Sequence, residues 1–122
     1  MARFFDEFVV AFQTFDGADI AERYVVPYVS LHSDGSIECF SEHTGVAQYF
    51  QRVVSQYHAN GCRSCRYKDL AVTPLGQQSA LGTVTWELLK EDQTVLSSWR
   101  ESYNLCRVEG RLRVFASVDH VT

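Results

Sequence analysis

The feature that most limits what this chain can fold into is a change in apolar period at Asn60-Gly61. Upstream, apolar residues recur at helical spacing. Phe5, Phe8, Val9, Phe12 and Phe15 form one stripe with Asp6, Glu7 and Gln13 between them, and Val46, Tyr49, Phe50, Val53, Val54 and Tyr57 form another. Downstream, the pattern predicts strands only, at about 62–73, 79–90, 95–108 and 111–120. They are separated by the turns Pro74-Leu75-Gly76, Glu91-Asp92-Gln93 and Glu109-Gly110. Turns this short join antiparallel neighbours, so the second half of the chain reads as a meander.

Between the two helical stripes the signals are local. Asp16-Gly17 breaks the first helix, and a short second one runs over about 18–23, with Ile20 and Tyr24 facing the same way. The β-branched and aromatic stretch Val25 to His32 predicts a strand, and Ser33-Asp34-Gly35-Ser36 turns it into Ile37 to Phe40. Pro27 predicts that this first strand lies at a sheet edge or begins late. Thr44 is expected to cap the third helix, and Asn60-Gly61 to end it. The whole chain, 1–122, reads as one α+β domain without repeat or linker.

Composition narrows the function classes. A chain with 46% hydrophobic residues and only 2 prolines is neither disordered nor low in complexity. A net charge of −4 with no strongly basic segment argues against a nucleic-acid surface. No apolar run nears the roughly 20 residues that cross a bilayer, and acids at Asp6 and Glu7 interrupt any leader-like start, so the expected location is cytoplasmic. Cys62-Arg63-Ser64-Cys65 has redox-motif spacing. It follows a helix stop and enters a strand, however, rather than preceding a helix N-terminus, and Cys39 and Cys106 are isolated. Four free thiols are expected. The four histidines lack ligand spacing, so neither metal nor cofactor is expected.

The order helix, helix, hairpin, helix and meander resembles the NTF2-like superfamily, which includes SnoaL-like cyclases and ketosteroid isomerase-like proteins. The resemblance rests on Phe8 to Phe15, Asp16-Gly17, Ile20 to Tyr24, Val25 to His32, Gly45 with Val46 and Phe50, and Gly110 to Val114, with Leu112 where Trp is commoner. It implies a cystatin-like cone, in which three helices pack on a curved, mostly antiparallel sheet and leave a pocket at the open end. It also implies that His32 stands where the isomerase-like members carry a general-base Asp. Phe8 stands near their oxyanion-stabilising Tyr, and the 95–108 strand lacks their second donor, Asp. Isomerase activity of that kind is therefore not expected.

The residues themselves single out Glu101. Period-two alternation puts it on one face with Trp99 and Tyr103, and a carboxylate between aromatics is costly unless it is paired or faces a wet cavity. Two readings stay open: a pocket acid with a raised pKa, or an interface Glu paired with Arg100, Arg107 or Arg113 of a neighbouring strand or subunit. With His32 as base and Glu101 as acid, the pocket walls would be Phe12, Tyr28, Tyr57, Trp86, Trp99 and Tyr103. His120 shares a register with Val114, Ala116 and Val118 and would approach the mouth. Large apolar residues on both registers of 80–89 predict a homodimer through the sheet face. The expected ligand is small and hydrophobic or amphipathic, met by cyclase, isomerase or dehydratase chemistry. The alternative is a non-catalytic dimeric module.

Overall fold

The computed structural model describes residues 1–121. Three helices, α1 (Ala2–Phe12), α2 (Gly17–Ala21) and α3 (His43–Ala59), accompany six strands: β1 (Tyr24–Leu31), β2 (Ile37–Phe40), β3 (Ser64–Leu75), β4 (Ser79–Leu89), β5 (Val95–Val108) and β6 (Arg111–Asp119). The strands form one sheet in the order β2-β1-β6-β5-β4-β3. Among the described residues the β1–β6 pair is parallel and the other four pairs are antiparallel. The meander, the hairpin and the helical cover all stand as the sequence predicts.

The helices bury their stripes on one sheet face. From α1 come Phe4, Phe5, Phe8 and Ala11, and from α3 come Val46, Phe50 and Val54. They meet Val84, Trp86, Tyr103, Leu105 and Val114 of the sheet. The α3 stripe is shared between two tasks, for Tyr49, Val53 and Tyr57 are only half-buried and face an internal cavity instead. The contact between α2 and α3 depends on Gly17. A Cβ there would stand 2.6 Å from the Gln51 backbone nitrogen, and Gly17 N–H donates to Gln51 Oε1 at 2.9 Å.

Several local expectations need correction. Glu42, not Thr44, precedes the first turn of α3, and no side chain caps it. Strand β1 is interior, flanked by β2 and β6, and it begins at Tyr24 despite Pro27. The missing Pro27 N–H is tolerated because the β1–β6 ladder is broken between Tyr24 and Val29, where the peptide before Pro27 is cis. Strand β3 continues through Pro74 to Leu75; as an edge strand it has one side free of ladder bonds. At the helix stop only Gly61 takes the left-handed conformation (φ 105°), while Asn60 stays near φ −84°.

Candidate functional site

Bounded by α1, α3 and the sheet, a cavity of about 80 Å³ opens beside the ends of β1 and β6. That volume admits several waters or the end of a small organic molecule. Its walls are mostly aromatic: Phe12 from α1, Tyr49 and Tyr57 from α3, Tyr24 and Tyr28 from β1, and Trp86, Trp99 and Tyr103 from β4 and β5. Two carboxyl groups, Glu101 and Asp119, interrupt this lining, and they stand opposite one another in the β5–β6 register.

Hydrogen bonds hold the polar atoms of the wall in place. Trp99 Nε1 donates to Glu101 Oε1 at 2.9 Å. Deeper in, Trp86 Nε1 donates to the Tyr103 hydroxyl at 2.7 Å, and Tyr28 Oη shares a 2.6 Å bond with Ser117 Oγ. Burial holds the Tyr24, Tyr57 and Tyr103 hydroxyls above their ordinary pKa and pushes Tyr28 up to about 12. These phenols stay neutral, so the two carboxyls set the electrostatics of the cavity.

Glu101 is the perturbed group. Burial among the aromatics pushes its pKa from the ordinary 4.5 to about 8, and the neighbouring Asp119 charge pushes in the same direction. The Trp99 bond opposes the rise without cancelling it. A hydrogen bond with Asp119 adds to it, because only the protonated Glu101 has a proton to donate. Among the described residues no arginine forms a salt bridge with the pair: Arg100 donates instead to the Asp69 carbonyl and Thr85 Oγ1, each at 3.0 Å. Within the chain, none of the salt bridges among the described residues joins Glu101 to Arg100, Arg107 or Arg113, and its side chain lines the cavity.

Of the nine site residues read from the sequence, the seven that line this cavity are Glu101, Phe12, Tyr28, Tyr57, Trp86, Trp99 and Tyr103. The two histidines do not. His32 lies two residues past Ser30, beyond the last residue of β1, in the hairpin that turns to β2. Its Nε2 stands 2.8 Å from Glu38 Oε1 and its ring 6.0 Å from that of Tyr49. It is engaged outside the cavity with a carboxylate of its own hairpin.

His120 is displaced for a different reason. Strand β6 carries an extra residue, since Leu105 pairs with Val114 while the next residue, Asn104, pairs with Ala116. This bulge at Phe115 inverts the alternation after it. Val114 faces the core, then Ser117 and Asp119 face inward, and His120 goes to the outer face, where Nε2 meets Ser102 Oγ at 2.7 Å. Asp119 is the cavity-lining carboxyl that the sequence reading leaves out of the candidate site. The run Val114-Phe115-Ala116-Ser117-Val118 contains no Gly or Pro to mark a bulge.

The two thiols of the Cys62–Cys65 pair are shielded by their environment. Cys62 and Cys65 are buried, and burial raises both pKa values, that of Cys65 to about 12. Among the described residues no cluster of three or more His, Cys, Asp or Glu side chains suits a metal ion. Nor is any helix long and apolar enough to cross a membrane.

Comparison with known proteins places this architecture. A family model described as an NTF2-like protein (DUF6841) matches residues 1–122. No curated protein matches the chain. Among solved structures, Aln2 from a Streptomyces species superposes with a TM-score of 0.78 at 14% identity, over 98% of this chain and 86% of its own. An NTF2-like protein with a cystatin-like fold from Novosphingobium aromaticivorans gives 0.76 at 11% identity, over 98% and 77%. A Nostoc punctiforme protein of unknown function with a cystatin-like fold gives 0.78 at 12%, over 99% and 87%. At such identities the likeness is one of fold.

Proposed function

This chain belongs to the NTF2-like family DUF6841, and we propose that it uses its cone cavity to bind a small, flat, largely apolar molecule and to move a proton on it. The observation that carries the reading is the buried Glu101–Asp119 pair inside an aromatic lining. With its pKa raised to about 8, Glu101 holds a proton at neutral pH that an ordinary Glu would have lost. It acts as the acid toward a carbonyl or hydroxyl oxygen of the ligand. Asp119 takes a proton from the same ligand, and exchange between the two carboxyls restores the starting state. Isomerisation, cyclisation and dehydration all fit this exchange. His32, committed to Glu38, has no part in it.

A second reading, binding without turnover, is favoured by one observation: a cavity of about 80 Å³ encloses little more than one end of a ligand. Titration with phenol, followed by the fluorescence of Trp86 and Trp99, tests the shared premise. Saturable quenching that weakens in Glu101→Gln supports the site, and no quenching at millimolar phenol defeats it. Deuterium uptake from D2O next to the carbonyl of cyclohexanone separates the two readings. Uptake lost in both Glu101→Gln and Asp119→Asn supports proton transfer.

For the assembly, we propose a homodimer through the outer sheet face. Val29 and Phe115 are exposed, and both lie beside strand residues that turn inward. Light scattering on the wild type and on Val29→Glu tests it, with a monomeric wild type as the refuting result.

A further inference from the structure

We propose that the groove at the end of the sheet far from the cavity is a second ligand site, built for a compact polyanion carrying phosphates or clustered carboxylates. This groove, about 520 Å³, lies between the start of α1, Arg23 and the β5–β6 hairpin. It exists because β1 starts at Tyr24, opposite Val114, and leaves Arg111 to Arg113 without a strand neighbour on that side. Arg111 and Asp119 are separated by the length of β6, roughly 26 Å. The groove and the cone cavity are distinct sites.

Its charge is what needs an occupant. Arg3, Arg23, Arg107, Arg111 and Arg113 line the groove, and among the described residues Glu7 is its one carboxylate. Arg3 and Arg23 share Glu7, at 3.6 and 3.2 Å. Among the described residues no carboxylate pairs with Arg107, Arg111 or Arg113. Pairing with Glu101, Glu109 or Asp119, the ordinary use of strand arginines, is not what the fold does with them. Five guanidinium groups against one carboxylate make this end of the molecule strongly positive, on a chain whose net charge is −4.

Arg23 is fixed in the wall of the groove. Its Nε is buried and has no hydrogen-bond partner, although its Nη1 is satisfied by Glu7. The Nη1–Glu7 bond holds the Arg23 guanidinium at the groove wall, where its partly exposed side chain adds to the positive charge. The planar forks of several arginines suit the oxygens of phosphates and carboxylates, to which they bond in pairs. The volume lies within the range of small-molecule sites, so a compact molecule rather than a flat macromolecular surface is the fitting occupant.

Calorimetric titration of the full chain with sodium pyrophosphate and, separately, with citrate tests the site. Arg107 and Arg111 are exposed, so Arg107→Gln/Arg111→Gln removes two forks without touching the core. The control Arg52→Gln removes an exposed charge on α3, outside the groove. The expected result is binding tighter than about 1 mM by at least one anion, weakened about tenfold or more in the double variant and unchanged in the control. Pyrophosphate alone would mark the site for phosphates, and citrate alone for carboxylates. Absence of binding by both anions overturns the proposal, and so does equal weakening by the double variant and the control.

Discussion

Replacing Glu101 with Gln is expected to make the protein more stable, by an amount that grows with pH. In the unfolded chain Glu101 titrates near its ordinary value of 4.5, and in the folded chain at about 8. Between those values the folded state holds the extra proton, so stability falls as pH rises. The full shift of about 3.5 units corresponds to a ceiling of about 5 kcal/mol, approached above pH 8. Exposure of Glu101 to the cavity and its coupling to Asp119 bring the expected loss to about 2–4 kcal/mol between pH 5 and pH 9. Gln reproduces the protonated acid: its carbonyl accepts from Trp99 Nε1, and its amide donates toward Asp119 as the carboxylic proton does. The two proteins should therefore agree below pH 4.5 and diverge above it. Urea unfolding at pH 4, 5, 7 and 9, followed by the emission of Trp86 and Trp99, measures the difference directly. Parallel stability curves for wild type and variant across that range would refute the burial of an acid at Glu101.

Three further outcomes follow from the packing. Gly17→Ala should cost about 2–3 kcal/mol in urea unfolding, because its new methyl meets the backbone of α3, which cannot rotate away as a side chain can. Tyr28→Phe should cost about 1–3 kcal/mol by stranding the buried Ser117 hydroxyl, and adding Ser117→Ala should recover most of it; a double variant worse than the single one would contradict this. In the native protein a thiol reagent should modify exposed Cys39 promptly, leaving Cys62 and Cys65 unreactive until the chain unfolds. Prompt labelling of all four at neutral pH would contradict the burial described for them.

What the letters reveal, and what they conceal, follows from the range over which each signal acts. Period carries over long stretches, so the stripes of α1 and α3 and the four strands of the meander are legible, and so is the inward face of Trp99, Glu101 and Tyr103. Alternation is cumulative, however, and a single unpaired residue reverses everything beyond it. This is how Asp119 and His120 exchange sides, with nothing in 111–119 to announce it. His32 lies outside the cavity, because the strand ends one residue earlier and the chain has already turned. Pro27 misleads in the opposite direction, since a break in the ladder lets it sit inside a sheet whose edges lie elsewhere. The arginine groove is legible as a surplus of Arg over Lys, yet the missing partners show only in three dimensions.

The bulge at Phe115 carries a consequence for how such a cavity changes over evolutionary time. Val114 and Asp119 are five positions apart, an odd count that an unbroken strand could not place on one face. Substitutions that straighten the bulge would slide the end of β6 by one residue along β5, bringing Val118 opposite Glu101 and turning His120 inward in place of Asp119. A cavity with two carboxyls would become one with a carboxyl and an imidazole, without any substitution in its lining. Loss of the Phe115 codon would act in the opposite sense. It makes the count even, removes the extra residue and fixes Asp119 opposite Glu101 in a regular ladder. Reaction repertoire in a scaffold of this kind is thus governed partly by parity, and a deletion can preserve a site that a substitution outside it would exchange.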